Sequence, residues 1–130
     1  MTTAPAPVAA WHAIAASRDP SGLQELLSDE VVFRSPAVNT PQEGRVKTTA
    51  YLTAAIAVLG PTLRYGREWY GENSAVLEFE AELDGLNVHG IDMLGWNADG
   101  RLVEFTVMVR PLKGLQHLVT LMGQQLTAQA

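Results

Sequence analysis

Between residues 62 and 110 the chain reads as four strand-like segments separated by short polar turns. "TLRYGREWYG" (62–71), "SAVLEFEAEL" (74–83), "LNVHGIDMLGW" (86–96) and "RLVEFTVMVR" (101–110) are rich in β-branched and aromatic residues, and "GEN", "DG" and "NADG" separate them. Tight polar turns between such segments predict consecutive antiparallel hairpins. The second segment alternates most cleanly, with Leu77, Phe79, Ala81 and Leu83 opposing Glu78, Glu80 and Glu82. A period of two buries one face and wets the other. In the last segment Val103, Phe105, Val107 and Val109 form one apolar face. A sheet of this size needs helices to cover it, and the rest of the chain supplies them.

Val8 to Ser17 is Ala-rich and helical in pattern. Ser21 is a candidate cap for a short helix from Gly22 to Leu27. "VVFRS" (31–35) predicts a strand, and "PAVNTPQEG" (36–44) a loop. Arg45 to Leu59 predicts a helix with Leu52, Ile56 and Leu59 on one face. Pro111 opens a last helix over 112–128, where Leu112, Leu115, Val119, Met122 and Leu126 recur at three and four residues. Gly114 and Gly123 weaken that helix by about 1 kcal/mol each against Ala. Residues 1–7 are expected to be a frayed leader, and the 130 residues to form one α+β domain.

Composition limits the partners. The net charge is −5, and the nine Lys and Arg are scattered singly. A nucleic-acid partner needs a basic face, so none is expected. No apolar run approaches the roughly 20 residues that span a bilayer, so no membrane is expected. The absence of cysteine removes disulfides and thiolate chemistry and suits the cytoplasm. His12, His89 and His117 share no ligand spacing, so neither a metal nor another cofactor is expected.

Asp92 stands between Ile91 and Met93 in an otherwise apolar strand. Two readings are open. It is a structural acid bonded to neighbours or lying in water at a rim, or it is the one polar group of an apolar pocket. In the second case desolvation penalises its charged form and raises its pKa. His89, three residues away, lies on the opposite strand face, and His12 is expected to face away from the pocket. Ser35 reads as a strand end beside a proline, or as a contact at a pocket mouth. A buried Trp11 needs an acceptor for its indole N–H, for which Asp92 or a ligand would serve. Arg34 is a candidate partner for the Glu78–Glu82 row.

The order of elements, with "LLSDEVVFRSP" early and "NADGRLVEFTVMVRP" late, resembles the nuclear transport factor 2-like superfamily, in particular its SnoaL-like and ketosteroid isomerase-like branch. The resemblance covers about residues 8 to 112. It implies a curved antiparallel or mixed sheet wrapped around N-terminal helices into a cone, with a mostly apolar pocket at the open end. It aligns Asp92 with the inward carboxylic acid that ketosteroid isomerases use to donate a hydrogen bond to substrate. The general base of those enzymes falls at Ser35. Their first-helix tyrosine falls at Trp11, and the tyrosines that support it fall at Leu27 and Leu52. The acid/base Asp of polyketide cyclases falls at Val107. Of the Arg and two Asp of the superfamily's epoxide hydrolases, at most one is present.

The expected pocket is therefore lined by Trp11, Phe33, Tyr51, Leu77, Phe79, Val88, Asp92, Leu94, Trp96, Phe105, Val107 and Val109, with Ser35 near its mouth. The expected ligand is a small apolar molecule carrying a carbonyl or hydroxyl oxygen, anchored by Asp92. The alternatives are an isomerase, dehydratase or cyclase with Asp92 as general acid/base, and a dimerising accessory protein without ligand. Val32, Ile91, Met93 and Met108 point outward and predict a homodimer through the convex sheet.

Overall fold

The four alternating segments form the body of a single curved sheet. The computed structural model describes residues 3–129. Helix α1 (Ala6–Ser17) leads through a 3-10 turn (Pro20–Gly22) and α2 (Leu23–Leu26) into β1 (Leu27–Arg34). A two-residue strand β2 (Gln42–Glu43) and helix α3 (Arg45–Leu59) follow. Then come β3 (Arg64–Tyr70), β4 (Ser74–Leu83), β5 (Leu86–Trp96), β6 (Leu102–Arg110) and α4 (Leu112–Gln129). The strand order is β2-β1-β6-β5-β4-β3. Strand β1 runs parallel to β6, and every other pair is antiparallel.

Local chemistry fixes the hairpins. At the β4–β5 turn Asp84 and Gly85 both have positive φ (51° and 86°), as a two-residue type I′ turn requires. At the next turn Asn97 Oδ1 accepts from the backbone N–H of Asp99 and of Arg101. Register shifts interrupt β3–β4 between Tyr65 and Glu68, and β5–β6 between Gly95 and Trp96. Such irregularities bend and twist the strands that carry them. The helices fill the concave side of the sheet.

Several expectations are corrected. Only the end of the expected leader is helical: α1 takes in Ala6 and Pro7, and Pro7 is buried. Of residues 1–7, Met1 and Thr2 lie outside the described residues. Asp19, not Ser21, makes the side-chain cap, its carboxylate accepting from Ser21 N–H at 3.0 Å. Strand β1 begins four residues earlier than "VVFRS", and the 36–44 loop contains β2. In β6 the shift beside Trp96 puts Leu102 inside instead of Val103. In α4 the buried residues are Gly114 and Leu118, while Leu112 and Val119 are exposed. The apolar stripe was visible, but its phase against the sheet depends on how α4 lands.

Gly114 is where it lands. A Cβ there would stand 2.7 Å from Val88 Cγ1 and 2.9 Å from the Asn87 carbonyl, whereas one at Gly123 meets nothing within 4 Å. The two helix glycines are thus expected to respond oppositely to alanine. Gly123→Ala should gain up to about 1 kcal/mol from helix propensity, and Gly114→Ala should lose about 1–2 kcal/mol net because steric strain exceeds that gain. Thermal melts of the two variants check the signs.

Candidate functional site

The alternation of β5 places Asp92 on the inner face, opposite Leu77 of β4 and Val107 of β6. Only 5% of Asp92 is exposed. Beside it Gly90 lets the Phe79 ring lie across the strand, since a Cβ at 90 would stand 2.6 Å from Phe79 Cζ. The acid therefore sits among aromatic and aliphatic side chains.

One hydrogen-bonded chain reaches it. The Trp11 indole N–H donates to the Tyr65 hydroxyl at 2.8 Å, and the Tyr65 O–H donates to Asp92 Oδ2 at 2.5 Å. With Asp92 ionised, and so able only to accept, the direction is forced. An indole N–H can only donate, so the phenol oxygen accepts and its one proton goes to Asp92. Oδ2 is thereby occupied as an acceptor. A proton carried by Asp92 belongs on Oδ1, the oxygen that Tyr65 leaves free. Trp11 is steadied by an edge contact with Phe105, ring centres 4.9 Å apart.

Burial dominates the titration of Asp92 and pushes its pKa from 3.8 up to about 7. The Tyr65 hydrogen bond and the nearby Trp11 indole N–H lower it, but by less than burial raises it. Near neutrality both protonation states are populated. Burial, then the Asp92 charge, holds the Tyr65 phenol well above its usual range, so Tyr65 remains the donor.

A cavity of about 200 Å³ opens in front of Asp92. Trp11, Phe33, Phe79, Phe105 and Val107 line it from α1 and the sheet, with Tyr51 on α3 and Ser35 in the loop directly after β1. Asp92 is the only ionisable group besides Tyr51 and Tyr65 among the described lining residues. Ser35 Oγ accepts from Ala37 N–H at 3.1 Å, the local bond of a strand-end serine. The wall does not include Leu77, Val88, Leu94, Trp96 or Val109. Leu77 and Leu94 are sealed in the solid core beneath α1, and Trp96 packs at its edge beyond the β5–β6 shift. Val88 lies under Gly114, and Val109 supports the core beneath α4.

The sequence reading missed Tyr65 and the contribution of α4, whose Leu118, Met122 and Leu126 form part of the wall. Tyr65 pairs directly with Phe79 across the hairpin and shares its inward face. That register was the available signal. The next inward residues of β3 are Glu68 and Tyr70, because the shift between Tyr65 and Glu68 resets the phase. As expected, His12 does not line the cavity; it pairs with Glu68 Oε2 at 2.6 Å, and its ring packs edge-on against Tyr65. Tyr70 donates to Glu68 Oε1 at 2.6 Å. The acceptor of Trp11 is Tyr65, not Asp92 or a ligand.

The outward face carries its own charges. Arg67 grips Glu78 with two hydrogen bonds of 2.7 Å, and His89 pairs with the same carboxylate at 2.8 Å. Arg67, then His89, pulls the Glu78 pKa down to about 2. Arg34 pairs with Glu104, not with the Glu78–Glu82 row, and His117 pairs with Asp84. No group of three His, Asp or Glu is placed to hold a metal among the described residues. No helix among them is long and apolar enough to cross a membrane.

A curved, unclosed mixed sheet around helices, with an apolar cavity on its concave side, defines the nuclear transport factor 2-like class. Within it the chain belongs to the SnoaL-like domain family, whose model matches residues 8–105. A crystal structure of a steroid delta-isomerase from Pseudomonas aeruginosa is similar at 39% identity and a TM-score of 0.90, covering 95% of this chain and 91% of that one. A bacterial protein with a cystatin-like fold from Silicibacter pomeroyi DSS-3 is similar at 27% identity and a TM-score of 0.86, covering 92% and 84%. An NTF2-like protein of unknown function from Mesorhizobium loti shares the fold at 21% identity and a TM-score of 0.71, covering 81% and 88%. No curated protein sequence matches.

Proposed function

We propose that the protein binds a small apolar molecule through one carbonyl or hydroxyl oxygen, with the Asp92 carboxyl as polar anchor. The observation that carries this is the direction of the Trp11–Tyr65–Asp92 chain. It leaves an acid proton on Oδ1, the oxygen available to a ligand. The aromatic wall adds affinity by burial, at about 25 cal/mol per Å² of apolar surface removed from water. An open cavity of about 200 Å³ weighs against an accessory protein with a filled core.

The donor is the protonated acid, and this sets the pH dependence. Affinity for a neutral ketone such as 1-tetralone should be constant below the Asp92 pKa of about 7. Above it, affinity should fall roughly tenfold per pH unit as the acid ionises. Calorimetric titrations from pH 5 to 9 test this. Affinity that ignores pH, or Asp92→Leu binding as tightly as the parent, would overturn the anchor.

A second role is favoured by that same pKa and by the similarity to a protein described as a steroid delta-isomerase. A carboxyl that titrates near working pH is suited to moving a proton. Asp92 would then shuttle a proton between two positions of an unsaturated ketone, a cofactor-independent isomerisation. We place either role in the cytoplasm.

We also propose a homodimer through the convex face. Met93 and Met108 are 37% and 53% exposed, with half-buried Val32 and Ile91 beside them. Ile91 and Met108 are paired across adjacent strands. Sedimentation at micromolar concentration should give a species of about twice 14.1 kDa, and Met93→Glu with Met108→Glu should halve it. A parent that sediments only as the monomer removes the proposal.

A further inference from the structure

We infer that the cavity takes a compact ketone or alcohol of one or two rings, and that α4 sets this limit through Leu118, Met122 and Leu126. The inference rests on the binding role proposed above and narrows it to a size class. Drug-sized ligands occupy pockets of about 300–1,000 Å³, while an apolar cavity of about 150 Å³ holds a benzene. The cavity here, about 200 Å³, lies between them and nearer the second value. A four-ring skeleton anchored at Asp92 would have to leave part of itself outside the mouth or displace part of the wall.

The wall that would have to yield is α4, and α4 is held along its length. Near its start Gly114 packs against Val88 and the Asn87 carbonyl. One turn on, His117 pairs with Asp84 of the β4–β5 turn at 2.7 Å. Leu118 is buried in the core with Phe79 and Val88. At the far end the Gln129 side chain donates to the Ala50 carbonyl of α3 at 3.4 Å. Between these attachments Met122 and Leu126 are only partly buried, so each can be shortened without emptying the core. Gly123, between them, adds no side chain and leaves open space above its Cα.

The test compares three ketones of increasing size, 3-methylcyclohex-2-enone, 1-tetralone and androst-4-ene-3,17-dione, by calorimetry at pH 6. The parent should bind 1-tetralone at least about tenfold more tightly than the steroid, because a clash discriminates where extra contact does not. Met122→Ala and Leu126→Ala, each checked for folding by circular dichroism, should narrow that ratio by admitting the larger ligand. Equal affinity of the parent for 1-tetralone and the steroid overturns the size limit and leaves the Asp92 anchor standing. Unchanged selectivity in both variants removes α4 as its cause. Absence of binding by all three ketones overturns the anchor and the size limit together.

Discussion

Asp92→Asn is expected to gain stability over the parent steadily as the pH rises from 4 to 7, and to hold that gain above pH 7. In the folded protein the carboxyl has its pKa raised from 3.8 to about 7, with burial the largest cause. Between those values the folded state keeps a proton that the unfolded chain has released. The parent therefore loses stability as the pH climbs through this window. The favourable contribution is complete below pH 3.8 and gone above about 7. The separation is 7 − 3.8, about three units. At about 1.4 kcal/mol per unit, the relative shift is on the order of 4 kcal/mol. Asparagine does not titrate, and its side-chain oxygen can still accept from Tyr65. The three histidines are common to both proteins, so they largely cancel in the difference. Replacing the acid by an amide adds a constant offset, so the slope against pH is the informative quantity. Urea melts of both proteins from pH 4 to 8 measure it, and parallel stability curves would show that Asp92 is not buried as described.

Local signals made most of the framework legible. The spans of α3, β4 and β5 follow from helical spacing, period-two alternation and the "DG" turn, each a short-range matter. The inward direction of Asp92 is fixed once β5 has a register. Membership of the cavity wall was harder to read. Leu77 and Leu94 face the same way as Asp92, yet Trp11, Ile14 and Leu26 pack with them into a solid core. A sheet face carries no mark of where helices close on it and where they leave a gap. Tyr65 was obscured for another reason. The irregularity between Tyr65 and Glu68 breaks the period of β3, so alternation alone does not reveal an inward series of Tyr65, Glu68 and Tyr70. The phase of α4 was obscured because its leading contact is a glycine, which a search for apolar side chains passes over.

On the isomerase reading, the largest expected effect is on turnover. With a β,γ-unsaturated probe such as cyclohex-3-en-1-one, the Asp92 carboxylate would take the proton from the carbon between carbonyl and double bond. The C–H electron pair becomes part of a dienolate. The same carboxyl returns the proton at the γ-carbon, which forms the conjugated enone and regenerates the carboxylate. Only the ionised acid can begin this cycle, so kcat/KM should rise tenfold per unit below the Asp92 pKa of about 7 and level off above it. Asp92→Asn should cost about 10² to 10⁴ in rate, the usual contribution of a positioned proton-transfer group. Tyr65→Phe distinguishes a group that tunes the acid from one that merely packs. Its hydrogen bond lowers the pKa of Asp92, so its removal should move the inflection of the pH–rate profile upward. Absorbance of the conjugated product follows all three proteins. Undiminished turnover in Asp92→Asn would exclude the proton shuttle. An inflection that stays in place in Tyr65→Phe would show that Asp92, although it turns over substrate, is not tuned through the Trp11–Tyr65 chain.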